Sequence, residues 1–338
     1  MPDSAAAIAL SIVIPTWNGR DLLERYLPSV TGELERWEAA GGGRGELVVS
    51  DDGSTDGTAG WLAAQWPLAR VTRSARNRGF APAVNAGVAA AGGALVLLLN
   101  NDLELLPGAL APLPERFAAE ADLFGLTLRA QHPASGNFET GGKCGRFRRG
   151  FWQCWRNFDC PPGQACGESF TLVGGFCVFR RDLFLALGGF DETFAPYYWE
   201  DLDLSYRARK RGWRVGYEPR AQVRHEISAT TRRHAGAFRR AAIIERNRLW
   251  FHWKNLDRET LGEHLGWAAA LLVQKALRRE LSYHFGFGLA LAGLPGLVRQ
   301  RRRERAWWRR RDAELAIPVG EDIIQSAGNN PASGVPLQ

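Results

Sequence analysis

The feature that most restricts the fold is a pair of apolar runs, about fifty residues apart, that each end in carboxylates: Leu47-Val-Val-Ser-Asp-Asp-Gly-Ser-Thr-Asp-Gly57 and Leu97-Leu-Leu-Asn-Asn-Asp102. A run such as Val96 to Leu99 has no polar face. It therefore fits a strand covered on both sides, as in a parallel sheet, and open α/β sheets bind ligands beyond the carboxyl ends of their strands. Asp51, Asp52, Asn100 and Asp102 are expected to converge on one sheet edge, an arrangement suited to a metal-bound nucleotide. Taken singly, each motif also reads as ordinary Asp-Gly or Asn-Asp turn chemistry. Together, and in this order, they point to a site.

Around these endings the chain alternates between the two periods. Ala9 to Pro15, Glu46 to Ser50, Leu68 to Thr72 and Ala94 to Leu99 read as strands, and Asp21 to Glu38, Gly57 to Trp66 and Phe80 to Ala91 as helices between them. Strands joined through helices make right-handed βαβ crossovers, so the expected fold class is α/β with a mostly parallel central sheet. The stretch from His132 to Glu168 is rich in Gly, Pro, Arg and Trp without a clear period, and is expected to be an irregular insertion over the site. Regular pattern returns with Phe170 to Arg180, a helix from about Asp182 to Leu187, and Trp199 to Gly212, which holds a second dense group of charges. Beyond about Arg232 the alternation gives way to helical, basic, tryptophan-containing sequence. The expected division is a catalytic domain over 1–231, a basic helical region over 232–318 and a disordered tail over 319–338.

At 338 residues the chain exceeds the usual size of a single core, which suits one large domain with an appendage. Five cysteines with no CxxC pair argue against a disulfide framework and against an ordinary zinc site. Free thiols in a reducing cytosol are expected, and the lack of a basic leader before the first apolar run reads as an intracellular protein.

Seven motifs now stand in order: Ser11-Ile-Val-Ile-Pro-Thr-Trp-Asn18, Asp51 to Gly57, Asn77-Arg-Gly-Phe-Ala81 with Asn85, Leu97 to Asp102, Gly174 to Arg180, Gly188-Gly-Phe-Asp191 and Trp199-Glu-Asp-Leu-Asp203. In order and spacing they resemble the family 2 inverting glycosyltransferases over about residues 9 to 230, and the Leu-Asn-Asn-Asp version resembles the branch with many rhamnosyltransferases. The resemblance implies a GT-A type nucleotide-sugar-binding sandwich and a UDP- or dTDP-sugar donor, with dTDP-rhamnose the leading guess. It also implies a polysaccharide or lipid-linked glycan acceptor and a divalent cation, Mn²⁺ or Mg²⁺.

Residue by residue, the resemblance puts Asp102 at the metal-ligand position, with His225 as a further ligand. Asn100 stands where many members carry a carboxylate; its amide can hydrogen-bond a ribose or a metal-bound water but adds no charge. Pro15, Thr16 and Asp51 match a base-binding pocket. Arg76 matches a basic contact near base or phosphates and reads equally as a solvated turn arginine. Asn101 belongs to the same strand ending, and Asn85 reads either as a donor contact or as a local cap. Asp201 matches the general base, and Glu200 would position the acceptor. Helix-start capping explains carboxylates here too, and Asp203 with Arg207 at i,i+4 looks like an intrahelical ion pair.

The net charge of +7 is concentrated at the C-terminal end, where eight arginines and one glutamate lie between Arg299 and Arg311. Leu265 to Val273 and Phe285 to Val298 are apolar but shorter than the roughly 20 residues a spanning helix needs. With Trp307 and Trp308 among the arginines, 299–311 reads as a contact for an anionic membrane surface, which would put the protein in the cytoplasm or peripherally on the inner face of the cell membrane. A solvated or oligomer-forming face is the alternative, and no nucleic-acid-binding fold is visible. A rival from another class is a sugar-nucleotide-binding or membrane scaffold without turnover, against which Asp102, Asp201 and His225 together speak. A nucleotidyltransferase would need a glycine-rich basic loop, which Ile14-Pro-Thr-Trp-Asn18 lacks.

Overall fold

The computed structural model describes residues 7–160, 166–225, 236–317 and 324–325. Its first half is built from β1 (Ile8–Thr16), α1 (Arg20–Ala39), β2 (Arg44–Asp51), α2 (Thr58–Gln65), β3 (Arg70–Arg73), α3 (Phe80–Ala90) and β4 (Leu95–Leu99). Strands β3, β2, β1 and β4 pair in that order and all in parallel. Successive side chains of a strand point to opposite faces. Leu10, Ile12, Ile14, Leu97 and Leu99 accordingly enter one core layer with α1, while Val13, Val48, Val96 and Leu98 enter the other with α3. Both faces are covered, which is why these strands are apolar throughout.

The sheet then changes character. β5 (Leu103–Leu105), α4 (Leu113–Ala119), β6 (Leu123–Gln131), β7 (Phe138–Thr140), β10 (Phe176–Arg180) and β11 (Arg214–His225) complete it. β10 runs antiparallel to both β4 and β6, and β5 antiparallel to β11, so the sheet is mixed rather than mostly parallel. Helices still intervene after β4, but the neighbours change: β10 enters antiparallel between β4 and β6, while β6 and β11 pair in parallel.

Where an irregular insertion was expected, β8 (Gly142–Arg148) and β9 (Phe151–Asp159) form an antiparallel hairpin. Glycines and arginines interrupt its alternation, and pairing across the hairpin supplies the regularity that the local pattern lacks. Cys160 and Cys166 are joined in a disulfide where free thiols were expected, while Cys144, Cys154 and Cys177 are free.

α5 (Arg181–Ala186) leads to α6 (Glu200–Lys210), a helix of mostly polar sequence in which ten of eleven residues are buried. Of the C-terminal helices α7 (Ala237–Asn255), α8 (Arg258–Leu277), α9 (Leu281–Ala292) and α10 (Leu294–Arg305), α7 packs against it and α9 and α10 pack on α7. Asp203 of α6 accepts from Arg207 at 2.7 Å and from Lys254 and Asn255 of α7 at 2.9 and 2.7 Å. Lys210 pairs with Asp257 and Asp312. The expected boundary at 231/232 lies outside the described residues; of the expected tail only Ile324–Gln325 is described, as a short strand β12 paired with β9. Among the described residues no single helix is long and apolar enough to cross a membrane.

Candidate active site

Strands β1, β2 and β4 end on the same side, and a cleft of about 610 Å³ opens there. Pro15, Thr16, Asp52, Asn100, Asn101, Asp102 and His225 line it. Asn101 Nδ2 donates to Thr16 Oγ1 at 2.9 Å, tying the ends of β1 and β4 together. The Asn100 N–H donates to the Gly175 carbonyl at 2.7 Å, and a Cβ at Gly175 would lie 2.6 Å from Asn100 Nδ2, so only glycine leaves this amide its place.

The two carboxylates after β2 part company. Asp52 lines the cleft, with Oδ2 accepting the N–H groups of Arg78 and Gly79, each at 2.8 Å, and Oδ1 buried with no hydrogen-bond partner among the described residues. Burial raises its pKa, and the two backbone donors, the Ser74 side chain and the charge of Arg78 offset that only in part. Asp51 stands behind it, accepting from Ser54 N at 2.8 Å with Arg73 Nε at 3.6 Å. Arg76 is exposed and does not line the cleft. Asn85 is a clamp: Nδ2 donates to the Phe190 carbonyl at 2.9 Å and Oδ1 accepts from Phe190 N at 2.9 Å. It borders a separate polar depression with Gly188 and Asp191.

His225 is 123 positions from Asp102, and the sheet joins them because His225 pairs with Leu103 where β11 meets β5. Its Nδ1 lies 3.2 Å from Glu139 Oε1 and its Nε2 lies 4.0 Å from Asp102 Oδ2. A carboxylate only accepts, so in the neutral ring Nδ1 carries the proton and Nε2 presents its lone pair toward Asp102. Burial lowers the His225 pKa, but the Glu139 hydrogen bond and the charges of Asp102 and Glu139 outweigh it and the net shift is upward. Among the described residues no group of three or more His, Cys, Asp or Glu is arranged to hold a metal. A carboxylate oxygen and an imidazole nitrogen facing each other nonetheless form a donor pair suited to Mn²⁺ or Mg²⁺ completed by phosphate oxygens and water.

The second acidic group lies one residue layer away. Asp201 Oδ2 accepts from Gly174 N at 3.2 Å and Oδ1 from Leu202 N at 2.8 Å. Gly174 sits between Asp201 and the Phe80 ring that lines the cleft. Burial raises the Glu200 pKa to about 8, with the Asp201 charge adding to it. Asp201 is also raised by burial, against the donors Gly174 and Leu202 and the charge of Lys143.

The turn that starts this helix is strained: Tyr198 and Trp199 have φ of 71° and 79°. Such residues cost about 1–3 kcal/mol each and persist only where the surroundings hold them. Here the holder is Asn247 of α7, fully buried, whose Nδ2 reaches the carbonyls of Phe194, Tyr197 and Tyr198 at 2.8, 3.0 and 3.0 Å. Arg239 and Ile243 of the same helix, with Tyr197, line the cleft. Glu139, Asn247, Arg239 and Tyr197 were not found by reading the sequence. Glu139 lies in the stretch without periodicity, and the α7 residues lie beyond the expected domain change, so no local signal marked them.

The sequence profile of Glycosyl transferase family 2 matches residues 11–188, and that of Glycosyl transferase family group 2 matches residues 129–311. The N-acetylglucosaminyl-diphospho-decaprenol L-rhamnosyltransferase of Mycobacterium tuberculosis is 27% identical over 304 residues, which cover 80% of this chain and 95% of that protein. Among solved structures, GalNAc-T7 with UDP, GalNAc and Mn²⁺ matches with a TM-score of 0.59 at 19% identity, over 76% of this chain and 49% of that one. The 1–349 fragment of S. aureus TarS with UDP-GlcNAc matches with a TM-score of 0.53 at 15% identity, over 89% of this chain and 88% of the fragment. These two likenesses are of fold, and the fold is the GT-A sandwich.

Proposed function

This chain belongs to glycosyl transferase family 2 and is a glycosyltransferase, and from that premise we propose that it transfers a sugar, with inversion, from a UDP- or dTDP-sugar to a hydroxyl of a polysaccharide or lipid-linked glycan. dTDP-rhamnose is the leading donor, on the strength of the mycobacterial relative, whose name gives a rhamnosyl donor and a diphospho-decaprenol-linked acceptor. The single observation that carries the reading is the convergence of Asp52, Asn100, Asn101, Asp102 and His225 on one cleft, delivered by three different strand ends.

In this reading Asp52 takes the base-recognition role that the resemblance gave to Asp51. It faces the cleft with a buried, unpartnered Oδ1, which suits the N3 proton of uracil or thymine. Asp102 and His225 would hold a divalent cation, which would supply charge to offset the diphosphate; Asn100 offers an amide for hydrogen bonding and adds no charge. The acceptor oxygen forms its bond to the anomeric carbon as the bond to the diphosphate breaks, and the acceptor proton passes to Asp201. Burial and the charge of Asp201 push the Glu200 pKa up, while Asp201 is also raised by burial but held down in part by its backbone donors and Lys143, so the geometry favours the charge of the pair on Asp201. The nucleoside diphosphate leaves, and no covalent sugar intermediate forms. A lipid-linked acceptor puts the enzyme peripherally on the inner face of the cell membrane.

The test is calorimetric titration of UDP and dTDP with and without Mn²⁺, followed by a panel of nucleotide-sugars assayed for donor hydrolysis. Cation-dependent affinity that Asp102→Ala abolishes is expected. Equal affinities in the wild-type protein with and without cation would remove the metal from the mechanism, and no turnover of any donor would favour the non-catalytic binding protein.

A further inference from the structure

α8 and α9 present an apolar surface on their outer side. From Leu265 to Gln274, and again from Leu281 to Val298, the chain has no Asp, Glu, Lys or Arg. The inner sides are spoken for: His264 and Ala268 of α8 and Tyr283, Gly286 and Ala290 of α9 are buried. Gly286 lets α9 lie directly on α7, since a Cβ there would come within 2.6 Å of the Ala242 carbonyl oxygen. A surface helix packed this way normally turns a polar face outward. Here Val273, Leu277, Leu281 and Phe285 are exposed by 64, 82, 66 and 54%, and Trp267 and Leu291 extend the same surface. Apolar patches on this scale mark an interaction surface.

The charges around it select the partner. Arg278 and Arg279 stand exposed at the turn between the two helices, and Arg299, Arg302 and Arg303 stand exposed beyond α9. The acidic side chains nearest in sequence are already paired, Glu280 with Lys275 and Glu304 with Arg211. An apolar face rimmed by exposed arginines that have no ion pair among the described residues matches an anionic lipid surface, with the rings and aliphatic side chains at the acyl boundary and the guanidinium groups among the phosphates. α9 and α10 meet at a 65° bend, which suits helices lying in the interface plane. Within the basic run Trp308 is turned inward, with the charges of Arg301 and Lys210 over its ring, and Arg301 donates to the carbonyls of Trp253 and Lys254, whereas Trp307 is exposed.

We propose that the outer face of α8 and α9, with the arginines at its rim, seats this protein on an anionic bilayer. The inference rests on the membrane-acting reading above and changes which surface performs it. α9 packs on α7, and α7 carries Arg239 and Ile243 into the cleft, so the seat lies one helix away from the site where a lipid-linked acceptor would react.

The experiment is co-sedimentation of the full-length protein with phosphatidylcholine vesicles, with and without phosphatidylglycerol, for the wild type, for Leu277→Glu/Leu281→Glu/Phe285→Glu and for Arg299→Glu/Arg302→Glu/Arg303→Glu. Wild type is expected to bind the anionic vesicles, to weaken in high salt and to retain a residue of binding there. The apolar variant should lose about ten-fold or more in partitioning while hydrolysing donor at the wild-type rate. Leu277→Glu alone, at the most exposed of these positions, should show part of the loss without affecting folding. Vesicle binding by the apolar variant equal to wild type, or loss only in the arginine variant, overturns the face assignment and leaves the membrane reading standing. Wild-type protein that ignores anionic vesicles yet hydrolyses donor overturns the membrane seat without touching the transferase; if it is then a dimer that the apolar variant dissociates, the face is a self-association surface.

Discussion

The two walls of the cleft are built on different principles. The wall formed by β1, β2 and β4 takes each functional residue from the end of a strand whose position is fixed by its neighbours, so Thr16, Asp52 and Asn101 are delivered by short-range pattern. The wall lined by Tyr197, with Glu200 and Asp201 buried outside the lining itself, depends on a strained turn held from a helix about fifty residues later in the chain, through Asn247. The first wall needs little beyond its own sheet to exist. The second exists only after the C-terminal helices have docked.

The sharpest way to break this contrast is to disable one wall at a time. Asp201→Asn keeps the shape of the α6 wall and removes its base, so transfer should fall by roughly 10²-fold or more while donor affinity by calorimetry stays the same. Transfer at near the wild-type rate would take Asp201 out of the mechanism. Asn247→Ala tests whether the strained turn needs its clamp: with the Tyr197 and Tyr198 carbonyls losing the amide and the Phe194 carbonyl left only Arg246 at 3.5 Å, folding stability should drop by about 1–3 kcal/mol and kcat by about ten-fold, with donor affinity unmoved. A matching loss of donor affinity would show that the two walls are one unit.

The pair on α6 should also leave a mark on stability. Glu200 has a folded pKa near 8 against an ordinary 4.5, so between those values the folded state binds more protons than the unfolded and stability falls as pH rises. Thermal denaturation across that window should show the slope, and Glu200→Gln should flatten it. A slope unchanged by the substitution would place its origin elsewhere. The smallest effect is expected at Asn85, where Asn85→Ala should cost about 1 kcal/mol of stability through the Phe190 clamp. Donor affinity should not change; a ten-fold loss would return Asn85 to the nucleotide site.

Most of the first wall was legible in the sequence. Strands and helices up to Leu99 fall within about two residues of where their periods placed them, because each buries one face against a neighbour close in sequence. What the periods missed came after that point. The insertion from His132 to Glu168 contains a hairpin whose regularity lies between its strands, and nothing in the charged sequence of α6 marks Asp203, Arg207, Arg209 and Lys210 as nearly or fully buried. A charged helix can be buried only where partners exist for its charges, and those partners, Lys254, Asp257 and Asp312, are contributed by segments with no periodic link to it.

The sequence by itself determined the α/β class, the edge on which the acidic strand endings meet and the family, because alternation of buried and exposed positions and the residues at strand ends are local properties of the chain. Tertiary structure alone decided which of Asp51 and Asp52 faces the cleft, that β10 turns the sheet antiparallel, and that Glu139 and Asn247 support the two ends of the site. Those outcomes depend on side chains far apart in sequence meeting in one place. A carboxylate or amide shows no preference for a distant partner until packing has put a donor within about 3 Å of it.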